Sequence, residues 1–520
     1  TVNAGFDQLK QRYSVLLEQS FDWHKQILLL GLFLSLLIAP LFLFSNKELA
    51  PIEDQSSINI IVEAPANSSL GYTNHYMDKV IDLVSQTPGY IMSWQIVTPN
   101  GGFGGLNFVD YNEREKSVQQ MQPELFAKLS TITGLKVLPI LSAALPTAGN
   151  FDVELVVQSN DEYADMQAFA QQLIQRAYQS GHFMFVDTDL EVNLPQTRIV
   201  FDRDRIADLG MDVQQVSQQL SALVSEQDIN RFNADGKAYR VIPMVENYAR
   251  DNPQAVLDLQ IKTPAGKLIP VRAIAQLSTE IAPRVLGKFN QQKAFRIFGG
   301  ILPHTTNDAA LQSLELAAAE ILPANYVVDY AGVSRQLRTE GNSMVSVLMI
   351  SLAIVYLALV VQFDSLRLPL VVLVGSVPLA IAGAMVFTFI GWTTINVYSQ
   401  IGFITLVGLI AKNGILMTEF AHELQLKGIA KVQAITEASQ IRLRPILITT
   451  AATVLGHLPL VLVSGPGAEA RNSIGIILVT GMAIGTFFTL FILPHVYLAL
   501  AKETLGVVPQ KVSTDTALTT

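Results

Sequence analysis

Lys412 is the residue whose type and position carry the most chemistry in this sequence. It lies nine residues inside an apolar helical run that ends near Phe420 and Ala421. At 1.5 Å per residue that is ~13 Å from the nearer water boundary. An ammonium group at such depth is costly; intramembrane cations face a bundle interior, pair with an anion and mark an ion or substrate pathway. No other span of these 520 residues offers a mid-depth carboxylate. The uncompensated charge predicts a proton or ion relay whose acidic partner lies on another chain or a further segment.

A second candidate is the run Pro99-Asn100-Gly101-Gly102-Phe103-Gly104-Gly105. Gly101, Gly102, Gly104 and Gly105 give the backbone freedom to move, and Phe103 gives it an apolar tip. Two readings stand: a flexible loop bordering an apolar site, or a plain connecting turn. A phosphate cradle is excluded, because neither a Walker lysine nor a helix N-terminus follows. Phe108 enters the next strand, where it either lines the same site or packs in the core. The remaining ionisable groups read plainly. Glu419, Glu423 and His422 sit at a span end within reach of water, as do His457 and His495. No cluster has zinc spacing, no nucleophile has a matching base, and no cofactor is implied.

The elements that hold these residues are those of a membrane protein. Half of the residues (50%) are hydrophobic, only 15% are charged, and the mean hydropathy is +0.35, unusual for a soluble chain of this length. Six runs reach the ~20 apolar residues that a bilayer demands: near 26–44, 343–361, 369–390, 397–420, 445–463 and 473–499. Positive residues gather on one side of these runs. Lys10, Arg12 and Lys25 precede the first, Arg367 follows the second, Lys427, Lys431, Arg442 and Arg444 follow the fourth, and Lys502 follows the sixth. The positive-inside rule puts both termini in the cytoplasm and the long segment between the first two spans outside. With no cysteine, that segment has no disulfides and rests on its own core. The chain begins with Thr1, which reads as a fragment or processed piece. Phe6 to Trp23 is amphipathic, as in a helix on the inner leaflet or a linker between spans, and is not a signal peptide.

Outside the membrane, strand and helix periodicities alternate. Ser57–Val62, Leu70–Ser85, Ile91–Val97, Leu106–Tyr111, Val118–Leu129 and Leu135–Ile140 form a βαββαβ unit of ferredoxin-like type. A second unit starts at Phe151–Gln158, with strands near Phe183–Asp187 and Thr197–Phe201. From about Ser225 to Lys288 short strands and turns interrupt it, as a separate interaction subdomain. Ala294–Gly300, Ala309–Ile321 and Val327–Tyr330 complete it.

Gly408-Leu409-Ile410-Ala411-Lys412-Asn413-Gly414-Ile415-Leu416-Met417-Thr418-Glu419-Phe420-Ala421, followed by Ile441-Arg442-Leu443-Arg444-Pro445-Ile446-Leu447-Ile448-Thr449-Thr450, resembles the second half of the resistance-nodulation-division permeases, in their hydrophobe/amphiphile efflux branch. The likeness covers almost the whole chain. It implies a C-terminal half: a cytoplasmic helix (1–25), a first span (26–45), a first porter unit (46–148), a second in two parts (149–224 and 291–342), a docking subdomain (225–290), five spans (343–500) and a cytoplasmic tail (501–520). It implies proton-driven export of amphiphilic or hydrophobic compounds, with no cofactor beyond the proton gradient. Lys412 is then similar to the family's relay lysine, Arg442 to the arginine at the cytoplasmic entrance and Thr449 to the relay threonine. The plainer alternatives are a structural ion pair for Lys412, a positive-inside anchor for Arg442 and a backbone-bonded hydroxyl for Thr449.

The paired aspartates of the family belong to the N-terminal half and are absent here. Phe108 resembles a phenylalanine of the distal drug pocket, and Phe103 falls in the equivalent of the switch loop, in a shorter form. The resemblance further implies a homotrimer in a Gram-negative inner membrane, with a periplasmic adaptor and an outer-membrane channel as partners. A protein-export accessory of the same superfamily and a membrane-anchored scaffold are the rival readings. The docking insertion and second porter unit are surplus to the former, and Lys412 is unexplained by the latter.

Overall fold

The structure, a computed structural model, describes residues 2–146, 149–225, 228–245, 252–303, 305–340 and 343–503. Of the tail expected at 501–520, all beyond 503 lies outside the described residues. The chain opens with helix α1 (Val2–Phe21) and, after a two-residue turn, helix α2 (His24–Phe44). Tyr13 and Leu17 on the apolar stripe of α1 are buried against the later spans, and the Tyr13 hydroxyl donates to the Leu490 carbonyl at 2.7 Å.

The first outer unit runs β1 (Ser57–Glu63), α3 (Leu70–Ser85), β2 (Tyr90–Thr98), β3 (Gly101–Phe108), α4 (Val118–Leu129) and β4 (Lys136–Ile140). Its sheet has the order β2-β3-β1-β4, antiparallel throughout. Strict alternation in β1 sends Ile58, Ile60 and Val62 to the face covered by α3 and α4. Ser69 caps α3, and Ser117 with Gln120 forms a capping box on α4.

The glycine-rich run corrects the expectation. It is neither a loop nor a turn: only Pro99 and Asn100 turn, and Gly101 to Gly105 are part of β3, hydrogen-bonded to β1 on one side and β2 on the other. Glycine is a poor strand former, but pairing on both edges fixes the backbone that propensity leaves free.

The second unit repeats the topology with β5 (Val153–Ser159), α5 (Tyr163–Gln179) and β6 (Phe183–Thr188). An insertion then leaves the sheet. It rises on a two-stranded antiparallel stem of β7 (Val192–Phe201) and, later in the chain, a strand from Ala275 to Pro283. Carried on the stem are α6 (Arg203–Asp208), α7 (Val213–Val224), the hairpin of β8 (Asn230–Ala234) and β9 (Lys237–Val241), and the short pair β10 (Gln260–Lys262) and β11 (Leu268–Pro270). The return strand is β12 (Ala275–Pro283). The interruption therefore begins at Val192, well before 225: Thr197–Phe201 belongs to the stem, because its partner is β12 rather than the sheet.

After β13 (Lys288–Phe289), strands β14 (Gln292–Ile301) and β15 (Val327–Tyr330), with α8 (Asn307–Ile321) between them, complete the order β6-β14-β5-β15. Helix α9 (Gly332–Glu340) is bound to this unit by Arg338, which pairs with Asp308 at 2.6 Å and Glu315 at 2.7 Å, both on α8.

Five helices follow: α10 (Ser343–Phe363), α11 (Arg367–Ile390), α12 (Val397–Leu426), α13 (Lys431–Leu462) and α14 (Ala468–Leu500). With α2 there are six helices long and apolar enough to cross a membrane among the described residues. Helix α13 starts at Lys431 rather than near 445, because Ala434, Ile435 and Ala438 are buried in the same cluster as α1 and the end of α12. Helices α11, α12 and α14 form the centre of the bundle, while α2 and α10 present most of their surface outward. Close approach needs glycine there: a Cβ on Gly485 would lie 2.5 Å from the Ala380 Cβ.

Candidate functional site

Helix α12 begins cleanly at the cap Asn396, whose side chain accepts from the Ser399 amide at 2.9 Å. Its interior divides into two faces by the helical repeat. Phe403, Leu406, Val407, Ile410 and Met417 are buried in the bundle. Ile401, Thr405, Gly408 and Lys412, spaced four, three and four residues apart, form an exposed stripe. A Cβ on Gly408 would meet nothing within 4 Å, so the surface one turn above Lys412 is open. No hydrogen bond or ion pair of Lys412 occurs among the described residues. The ammonium thus points away from the six-helix bundle, at a depth where solvent is lipid or protein.

Two contacts fix the register of antiparallel α12 and α13. Asn413 Nδ2 donates to Thr450 Oγ1 at 3.3 Å, and the Arg442 guanidinium stacks over the Phe420 ring at 4.9 Å. Thr449 is therefore level with Lys412, and Arg442 lies about 10–12 Å further toward the α12 C-terminus, seven to eight residues along each helix. The Thr449 hydroxyl donates to the Ile446 carbonyl at 3.1 Å, the backbone-bonded arrangement. The buried Nε of Arg442 has no hydrogen-bond partner among the described residues. The three residues lie along the α12–α13 pair, and no hydrogen bond joins any two of them.

Beside this row, sequence reasoning missed a buried polar triad. Asn413 Nδ2 also donates to Thr486 Oγ1 at 3.1 Å, and the Thr450 and Thr486 hydroxyls are 3.2 Å apart. It ties α12, α13 and α14 together at the depth of Lys412. The signal was present, since Asn413 and Thr450 each directly follow a residue already singled out.

The expected substrate wall is rearranged. Phe108 is 3% exposed and packs in the core of the first unit with Ile58, Leu106 and Met77. Phe103 is 48% exposed on the opposite face of the sheet and meets Trp94 edge-to-face, 5.8 Å between ring centres. Trp94 lies over Gly105, where a Cβ would come 2.5 Å from its Nε1. Gly105 is what lets the indole lie flat; Gly101, at φ +138°, is what lets the hairpin close. Together with Met92 and Ile96 these rings make an exposed apolar patch, and Trp94 is the member that sequence reasoning passed over.

Where the two units meet the span ends at Val463 and Ala468 lies a cavity of about 670 Å³, rich in carboxylates: Glu53, Asp54, Glu115, Asp152 and Glu469. Asp54 is paired with Arg114 at 2.5 Å, and Glu53 accepts from the Ala470 amide at 3.0 Å. Asp152 accepts from the Ile301 amide at 3.0 Å, yet burial outweighs that bond and pushes its carboxyl up to about 6.

A profile of the AcrB/AcrD/AcrF family matches residues 1–501. The chain belongs to the AcrB/AcrD/AcrF family. Among its relatives are an uncharacterized transporter of Haemophilus influenzae, 34% identical over 475 residues, 89% of this chain and 46% of that protein. The toluene efflux pump membrane transporter TtgB of Pseudomonas putida is 28% identical over 484 residues, 90% of this chain and 46% of that protein. The multidrug export protein AcrF of Escherichia coli is 28% identical over 481 residues, with 89% and 46% covered. This member of the AcrB/AcrD/AcrF family thus spans just under half the length of the curated relatives it matches. The resemblance to resistance-nodulation-division transporters is met, and this is a family of transporters rather than enzymes.

Proposed function

We propose that this chain is the C-terminal half of a permease that exports hydrophobic or amphiphilic compounds in exchange for protons. One observation carries the reading: Lys412 stands at mid-depth on the exposed stripe of α12, beside the open surface at Gly408, with no counter-charge among the described residues. A cation so placed is tolerable only against a protein surface that supplies anions. We assign that surface to an N-terminal half bearing two neighbouring acidic residues. Protonating those carboxylates releases Lys412, and the packing across α12 and α13, past Thr449 and Arg442, changes with it.

The outer units, ferredoxin-like in strand order, serve as porter units, and the insertion on its stem serves as the docking subdomain. The exposed apolar patch of Trp94, Ile96 and Phe103 offers amphiphiles a path, so export starts from the periplasm or outer leaflet. The rigid position of Gly101 to Gly105 in β3 removes the loop gate from this reading. The setting is a Gram-negative inner membrane and a homotrimer, coupled to a periplasmic adaptor and an outer-membrane channel. The test is efflux of an amphiphilic dye from cells producing this chain alone or together with its N-terminal half. Export only from the pair is expected. Equal export from the chain alone refutes the missing-anion argument.

A further inference from the structure

The exposed face of the first sheet is covered on one side only. Cross-strand register places Ile96, Phe103, Ile61 and Leu138 in one row across β2, β3, β1 and β4. Along that row exposure falls from 51% at Ile96 and 48% at Phe103 to 1% at Leu138. The cover is the second unit: Leu138 and Ile140 pack with Phe151, Phe185 and Phe298. Apolar contact of this kind holds two surfaces together without fixing the angle between them.

The next row on the same face supplies direction. It runs Thr98, Gly101, Glu63, Lys136. At its covered end Lys136, 3.6 Å from Glu63, reaches across the seam to an ion pair with Asp187 on β6. A second bridge runs the other way. Arg284, held in the second unit by Glu191 at 3.0 Å and Asn193 at 2.7 Å, donates to the Ala64 carbonyl of the first unit at 3.1 Å. Glu191 and Arg284 stand at the two roots of the β7/β12 stem. Both polar bridges therefore sit where the insertion leaves its sheet.

We propose that these bridges, one ion pair and one hydrogen bond to a carbonyl, form a polar latch that sets how far the seam opens, and so how much of the apolar face is uncovered. The latch regulates the face read above as the export path and rests on that reading for its purpose, though not for its existence. Its place at the stem roots makes it the point at which a load on the insertion reaches the seam.

This chain has no cysteine, so, with any cysteine of the N-terminal half replaced, a single Leu138→Cys reports seam opening through its rate of reaction with a maleimide in membranes containing the whole protein. Lys136→Met, which removes a partly exposed ion pair, and Arg284→Gln, which removes a hydrogen bond to a carbonyl, should each speed labelling about two- to fivefold. Lys136→Arg should keep the slow rate. Val80→Cys, in the core on the other side of the same sheet, should stay unreactive in every background. Unchanged labelling at Leu138→Cys in both variants overturns the latch, as does faster labelling at both positions, which marks unfolding of the unit. Export measured in parallel separates the two readings: a faster seam with unaltered export of every compound keeps the latch and refutes the path.

Discussion

Replacing Lys412 by methionine removes a charge while keeping most of the side-chain length. Within the described residues Lys412 gives up no hydrogen bond and no ion pair, and its side chain is exposed. Loss of packing should therefore fall within about ±0.5 kcal/mol, the usual range for surface substitutions. Insertion should become easier, since a lysine at a helix centre costs about 2.5–3.5 kcal/mol on the translocon scale. Both terms say that, within this half, Lys412→Met costs no stability. Export should nonetheless fall at least tenfold, because the group that answers protonation is gone. The assay is efflux of an amphiphilic dye at matched membrane levels, with melting of the detergent-extracted protein alongside. Full export at normal levels refutes the relay. Lost export accompanied by a lowered melting temperature refutes the argument that the lysine is mechanically idle in this half.

Asn413→Ala should do the reverse and lower the melting temperature: it loses two hydrogen bonds to Thr450 and Thr486, worth about 0.6 kcal/mol each on average in membranes. The remaining threonine pair stays satisfied, so a loss far above 3 kcal/mol in calorimetry would contradict the triad. Phe108→Ala should destabilise the first unit by about 3–5 kcal/mol. Trp94→Ala should leave stability nearly unchanged and alter the relative export of several compounds; the opposite pattern would restore Phe108 to the wall. Asp152→Asn should raise the melting temperature above pH 6 and lose that advantage as pH falls toward 4. The folded carboxyl is raised from 3.8 to about 6, so parental stability is fullest below 4 and is lost as pH rises through 6, by about 2–3 kcal/mol in all. Equal melting of the two proteins at pH 7.5 would refute it.

The spans were legible because an apolar run of ~20 residues suits little besides a bilayer, and the strand and helix order of the outer units followed from periodicity. What failed did so for local reasons. Gly101 to Gly105 carry no strand signal of their own; their conformation is imposed by β1 and β2, and only pairing reveals it. Residues 197–201 read as a sheet strand because alternation says nothing of the partner, which here is β12, some eighty residues later. At the membrane site Lys412 was legible from charge alone. Thr486 was not, since a polar residue that finds its partners inside the bundle leaves no imbalance to notice.

The β7/β12 stem has one further consequence, for inheritance rather than for mechanism. An insertion joined to its sheet by two adjacent antiparallel strands enters and leaves at nearly one point, so it is a cassette. Its surface, including the exposed hairpin of β8 and β9, can diverge, shorten or be exchanged without moving β5, β6, β14 or β15. A change confined to the cassette therefore leaves the bundle around Lys412 and the sheet beneath Trp94 where they are.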